Sequence, residues 1–126
     1  VRRAVKRQDP LDVWGSGWQT RDFIYIEDVV DCVMVTYEQM QRGDVLNIGS
    51  GKGVSFLQLA SLTSQILGYD PAILPDPTKP EGVFHRVADT FKLSQFGWKP
   101  SVSLEEGIER VAKYLREQLD TTVQSV

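Results

Sequence analysis

Between Thr20 and Met40 the chain changes hydrophobic period once, and that change limits what it can fold into. Thr20 to Ile26 is a strand-like run. From there apolar residues recur at Ile26, Val29, Val30, Val33, Tyr37 and Met40, the i, i+3, i+4, i+7 spacing of a helix face. The pattern predicts a helix from about Asp28 to Arg42. Asp28 is the expected N-cap, where its charge also suits the positive end of the helix dipole, and Gly43 stands where a C-terminal glycine belongs.

Glycines and prolines divide the rest into similarly short pieces. Leu11 to Trp14 and Thr20 to Ile26, separated by Gly15-Ser16-Gly17, read as strand, glycine turn, strand. Upstream, Val1 to Arg7 reads as the basic tail of a helix stopped by Asp9-Pro10. Val45 to Gly49 is a strand candidate. Ser55 precedes Gln58 by the capping-box interval and opens a helix whose face is Leu59, Leu62 and Ile66, ended by Gly68. Pro71, Pro75, Pro77 and Pro80 impose an extended path with one short strand at Ala72 to Leu74. Phe84 to Ala88 reads as a strand, and Asp89 caps a short helix through Leu93 to Phe96. The interval Ser103 to Glu106 starts a last amphipathic helix burying Leu104, Ile108, Val111, Ala112, Leu115 and Leu119. Short strands and helices without regular alternation predict an α/β class, a mixed α+β piece forming one lobe over 1–126. Residues 1–10 and 120–126 are expected to be poorly ordered.

Composition removes several function classes. The 126 residues carry 14 basic and 17 acidic side chains, a net charge of -3, so no basic surface calls for nucleic acid. One cysteine, Cys32, and one histidine, His85, allow neither an internal disulfide nor a usual zinc cluster. No apolar run approaches the roughly 18–20 residues needed to span a bilayer, and the N-terminus lacks the apolar core of a signal peptide. The expectation is a cytoplasmic protein with no membrane and no nucleic-acid partner.

The familiar catalytic patterns also fail. Gly49-Ser50-Gly51-Lys52-Gly53 lies between a strand and a helix, where backbone amides attract anions. A Walker loop, however, needs glycine where Leu46 stands and Ser or Thr where Gly53 stands, and a dinucleotide fingerprint needs glycine at Val54. A tight turn exploiting glycine's positive φ is the better reading. His85 beside Arg86 makes a poor case for a triad. Cys32, on the helix among Val29, Val30 and Val33, reads as a small buried hydrophobe. Asp28 with Asp31, and Glu105 with Glu106, stand at helix beginnings, where capping explains them.

More specific is the run Trp14-Gly15-Ser16-Gly17-Trp18-Gln19-Thr20-Arg21-Asp22-Phe23-Ile24-Tyr25-Ile26-Glu27-Asp28-Val29. It joins a glycine turn, an arginine inside a strand and a capped helix. Further motifs follow in order: Leu46-Asn47-Ile48-Gly49-Ser50-Gly51, Lys79-Pro80-Glu81-Gly82, Ala88-Asp89-Thr90-Phe91-Lys92-Leu93, Phe96-Gly97-Trp98-Lys99-Pro100 and Ser103-Leu104-Glu105-Glu106-Gly107-Ile108. Together they resemble the later part of the extended short-chain dehydrogenase/reductases, NAD-dependent epimerases/dehydratases acting on nucleotide sugars. The Lys-Pro-Glu-Gly run is similar to GDP-fucose synthases, and Trp-Gly-x-Gly-x-Gln-Thr-Arg to GDP-mannose epimerases.

That resemblance implies the C-terminal substrate-binding lobe of an extended Rossmann-type enzyme, lacking the N-terminal NAD-binding domain. It implies a nucleotide-sugar ligand whose diphosphate is contacted by Arg21, with Lys79 or Arg86 on the opposite wall. A guanidinium offers a planar fork of donors to phosphate oxygens, and two cations on separate loops can clamp a diphosphate. Trp14 and Trp18 either flank a base or sugar or pack the two strands. The family's redox chemistry uses a Tyr-x-x-x-Lys pair. Four positions after Tyr25, Tyr37, Tyr69 and Tyr114 stand Val29, Gln41, Ile73 and Gln118, so this chain has no such pair. The expectation is therefore no catalytic, cofactor-binding or metal-binding residue in the chain and no catalysis by it alone, with NAD(P) serving only the complete family enzyme. Expected partners are a homodimer mate or a separate Rossmann-containing chain, and the alternative function is a non-catalytic oligomerisation or interaction module.

Overall fold

The computed structural model describes residues 1–123. In chain order the elements are α1 (Arg2–Val5), β1 (Leu11–Trp14), β2 (Thr20–Asp22), α2 (Ile26–Thr36), β3 (Gly53–Ser55), α3 (Phe56–Ile66), β4 (Ile73–Asp76), β5 (His85–Arg86), α4 (Phe91–Ser94) and α5 (Leu104–Val123). The class is mixed α/β. β1 pairs with β4 in parallel, while β2 lies between antiparallel β3 and parallel β5.

The two strands flanking the glycine turn therefore do not form a hairpin. Gly15 and Gly17 adopt φ of +73° and +76°, and they redirect the chain from one sheet to the other. The strand expected at Val45 to Gly49 does not form. Both edges of β2 are already taken by β3 and β5, and Leu46 and Ile48 instead pack on a cluster of Cys32, Leu93 and Trp98. β4 includes Pro75, tolerated because β4 sits at the edge of a two-stranded sheet.

The helices follow the caps where side chains are free to cap. Ser55 Oγ accepts from the Gln58 amide at 3.1 Å and Gln58 Oε1 from the Ser55 amide at 2.9 Å, the reciprocal box expected of α3. Leu59, Leu62 and Ile66 on that helix are only half-buried, and Thr63, Ser64 and Leu67 lie deeper. Asp28 does not cap α2. Tyr25 is the N-cap, and the Asp28 carboxylate is engaged by the segment leading into α5. α2 also ends at Thr36, short of Arg42. Thr36 Oγ1 donates back to the Cys32 carbonyl at 2.7 Å, and the amides of Gln39 and Met40 turn onto the Thr36 carbonyl. In α5 Ile108 and Ala112 are buried, whereas Val111 stays exposed.

A second cluster joins Ala4, Leu11, Leu67 and Ala112, so α1, β1, the end of α3 and α5 share one small core. Residues 1–10, expected to be loose, are tied into it: Arg7 Nη1 donates to the Gly68 carbonyl at 2.9 Å, and the Arg7 guanidinium lies 5.0 Å over the Tyr69 ring. At the other end α5 continues through Asp120 to Val123, and residues 124–126 of the segment expected to be loose lie outside the described residues.

Candidate functional site

The site is built on β2. In register, Arg21 lies between Val54 of β3 and Arg86 of β5. Register partners in neighbouring strands point to the same face, so Arg21 and Arg86 stand side by side. On the other face the next pair, Thr20 and His85, joins Oγ1 to Nδ1 at 2.7 Å. That bond gives His85 a structural partner in place of a nucleophile.

Arg21 does not pair with Asp22. Its Nη1 donates to the Thr20 carbonyl at 2.7 Å, and its guanidinium lies 5.6 Å over the Phe56 ring. Asp22 faces the glycine loop instead. One carboxylate oxygen accepts from the Ser50 amide at 2.8 Å and the Ser50 hydroxyl at 2.6 Å. The other accepts from the amides of Gly51 at 2.9 Å and Ala88 at 3.3 Å. Burial pushes the Asp22 carboxyl up, but these hydrogen bonds outweigh it and hold the group below its ordinary value. Gly51, at φ +71°, is the turn glycine expected in this loop. Because the Ser50 and Gly51 amides already hold a carboxylate, the loop does not fit a dinucleotide pyrophosphate.

Beside Arg21 opens a cavity of about 540 Å³ whose walls include Leu11, Trp14, Gln19, Phe56 and Glu81. A Cβ on Gly15 would come within 2.8 Å of the Glu81 side chain, so only glycine lets the 80–82 segment press against the turn. The Ser16 hydroxyl donates to the Glu81 carboxylate across that contact. Trp14 is exposed at the rim, at the end of β1.

Of the three cations singled out in the sequence, Arg21 lines the cavity and Arg86 is its strand neighbour. Lys79 is exposed on the turn after β4, outside the lining, where the Thr78 hydroxyl and amide, and to a lesser degree the Lys79 charge, hold the Asp76 carboxyl below its ordinary value. Neither Lys79 nor Arg86 has an ion-pair partner among the described residues. Sequence reasoning missed Gln19. It is 2% exposed, its Nε2 donates to the Trp14 carbonyl at 2.7 Å, and its Oε1 is buried without a partner. The signal was a lone amide two residues before Arg21. Cys32 is wholly buried, and burial, with Asp31 adding to it, pushes its thiol up, away from reactivity. No group of His, Cys, Asp and Glu among the described residues suits a metal ion, and no helix among them is long and apolar enough to cross a membrane.

This mixed α/β arrangement is similar to part of the extended Rossmann-type short-chain dehydrogenases/reductases. The NAD dependent epimerase/dehydratase family model matches residues 1–49. A putative GDP-L-fucose synthase 2 of Oryza sativa subsp. japonica is 36% identical over 118 residues, 93% of this chain and 34% of that protein. A GDP-L-fucose synthase of Sinorhizobium fredii is 35% identical over 84% of this chain and 34% of its own length. The UDP-glucose 4-epimerase of Thermotoga maritima, solved with UDP-glucose, superposes with a TM-score of 0.79 at 34% identity, covering 94% of this chain and 38% of that one. The chain is similar to the NAD-dependent epimerase/dehydratase family and spans about a third of the length of these curated relatives.

Proposed function

We propose that this chain is the nucleotide-sugar-binding portion of an NAD(P)-dependent epimerase, dehydratase or reductase, with Arg21 and Arg86 on the diphosphate and Lys79 approaching from the loop before Pro80. The observation that carries the reading is the register pairing of Arg21 with Arg86, neither ion-paired with a carboxylate among the described residues. Like charges directly opposite across a ladder are unfavourable, and a bound dianion removes the conflict. The cavity beside Arg21 has room for the sugar or base, with Trp14 at its rim. In a complete family member this portion would hold the sugar nucleotide while the sugar is oxidised and then epimerised, dehydrated or reduced. Calorimetric titration with GDP- and UDP-sugars tests the reading. Arg21→Ala should weaken binding by about 1.5–3 kcal/mol, the value of a charge-assisted hydrogen bond. Unchanged affinity would sink it.

One observation favours a second reading, an interaction module. α2 turns Ile26, Val30, Met34 and Tyr37 outward, all more than half exposed. An assembly module would associate through that face and bind no sugar nucleotide.

A further inference from the structure

Arg21 and Arg86 belong to strands that meet over only two register pairs, Thr20 with His85 and Arg21 with Arg86. So short a ladder does not by itself hold two long cationic side chains in one place. Immediately beyond it stands Asp22, and its carboxylate accepts from Ser50 and Gly51, which lead into β3, and from Ala88, two residues past Arg86. All four donors converge on one side chain, so both strands flanking Arg21 are fastened at the same point. The fit is close: a Cβ on Gly49 would lie 2.6 Å from Asp22 Oδ2 and 2.6 Å from the Ala88 Cβ.

We propose that Asp22 is a positioning residue for the anion site: by tying the 49–51 loop and Ala88 to the end of β2, it fixes Arg86 beside Arg21. The inference rests on the diphosphate reading only for its ligand-binding consequence. Asp22 itself lies on the face of β2 opposite Arg21, so the carboxylate acts on the arginines through the segments it ties. Asparagine cannot replace it, because a carboxamide must turn its NH2 toward one pair of donors.

The test has two readouts on the full chain. Without ligand, NMR follows amide exchange and the arginine Nε–Hε signals. In Asp22→Asn and in Gly49→Ala, the amides of Ser50, Gly51 and Ala88 should exchange at least tenfold faster and the Arg21 and Arg86 signals should shift. Asp44→Asn, which breaks a surface pair with Lys92, should leave all of them in place. With GDP as probe, calorimetry should show affinity falling about tenfold in Asp22→Asn, but less than twofold when the same change is made in an Arg86→Ala background. Folded Asp22→Asn protein with unmoved arginine signals, or with an undiminished loss in the Arg86→Ala background, overturns the proposal. Should Asp22→Asn not fold, Gly49→Ala carries both readouts, since it keeps the carboxylate and displaces it. If the wild-type chain binds no GDP, or Arg21→Ala binds it equally well, the diphosphate reading fails, while the exchange and arginine signals still decide the role of Asp22.

Discussion

At the scale of single residues, two aspartates fasten segments far apart in sequence. Asp28 is 3% exposed and accepts from the Ser101 amide at 3.0 Å, the Ser101 hydroxyl at 2.8 Å and the Val102 amide at 3.0 Å. It thereby fastens α2 to the entry of α5. Asp28→Ala leaves those donors without a partner, and each buried one costs about 1–3 kcal/mol. Urea unfolding at neutral pH should register a loss of at least 2 kcal/mol, read as a lower midpoint at unchanged slope. Acid should act on the same bonds. Burial raises the Asp28 carboxyl, but the Ser101 and Val102 hydrogen bonds, aided by Arg110, bring it below its ordinary value. The unfolded chain then takes up the proton first. The stability from Asp28 and Asp22 is present above the ordinary carboxyl pKa of about 3.9 and is lost as pH falls from there through the lowered folded values. Urea midpoints between pH 5 and pH 2.5 should fall less steeply in Asp28→Asn than in wild type. The place of Arg21 in a strand was legible in the sequence, because Thr20 to Ile26 reads as a strand-like run. The partners of Asp22 and Asp28 were not, since they lie 28 to 74 residues away and leave no local pattern.

At the scale of elements, whatever depends on neighbours in sequence was readable. The capping box at Ser55, the existence of β1, the helix opened at Ser103 and the stop at Gly68 each follow from residues within four positions. Ser55→Ala should therefore lower stability by about 1 kcal/mol, seen as a fall of a few degrees in Tm by circular dichroism, because it removes the hydroxyl that accepts the Gln58 amide while leaving the Ser55 amide on Gln58 Oε1. What depends on distant competition was misread. Val45 to Gly49 has a strand's composition, but both sides of β2 are taken and its Leu46 and Ile48 pack on Cys32, Leu93 and Trp98, while Gly53 to Ser55, weaker as a strand sequence, pairs with β2 just after the loop that Asp22 holds. Helix α2 shows the same limit from the other side. Its apolar period was plain, yet the side it buries carries Asp28, Cys32 and Thr36, and much of the periodic face turns outward. Periodicity gives the spacing of a face, not which neighbour it meets.

At the scale of the whole molecule that outward face becomes a quantity. A compact monomer of 14.2 kDa exposes about 6,800 Å² by the usual surface scaling. This chain exposes 8638 Å². The excess, about 1,800 Å², is more than one partner's share of a standard protein interface, about 800 Å². Part of it lies on α2, where Ile26, Val30, Met34 and Tyr37 form one exposed stripe at helical spacing opposite the side that carries the buried Asp28, Cys32 and Thr36, and a helix that buries one side and is apolar on the other belongs between two layers. The relatives, about three times as long, have further chain with which to form such a layer. In a solution of residues 1–126, a second copy can cover the stripe instead. Sedimentation velocity should show concentration-dependent association, and the double variant Val30→Glu with Met34→Lys should shift the population to monomer. Its chemical unfolding midpoint should hardly change, since both side chains are already more than half exposed and a surface substitution ordinarily moves stability by about 0.5 kcal/mol or less. A wild-type chain that stays monomeric at several hundred micromolar would mean that the stripe is tolerated in water. A double variant that unfolds early would mean instead that α2 packs inward on this chain.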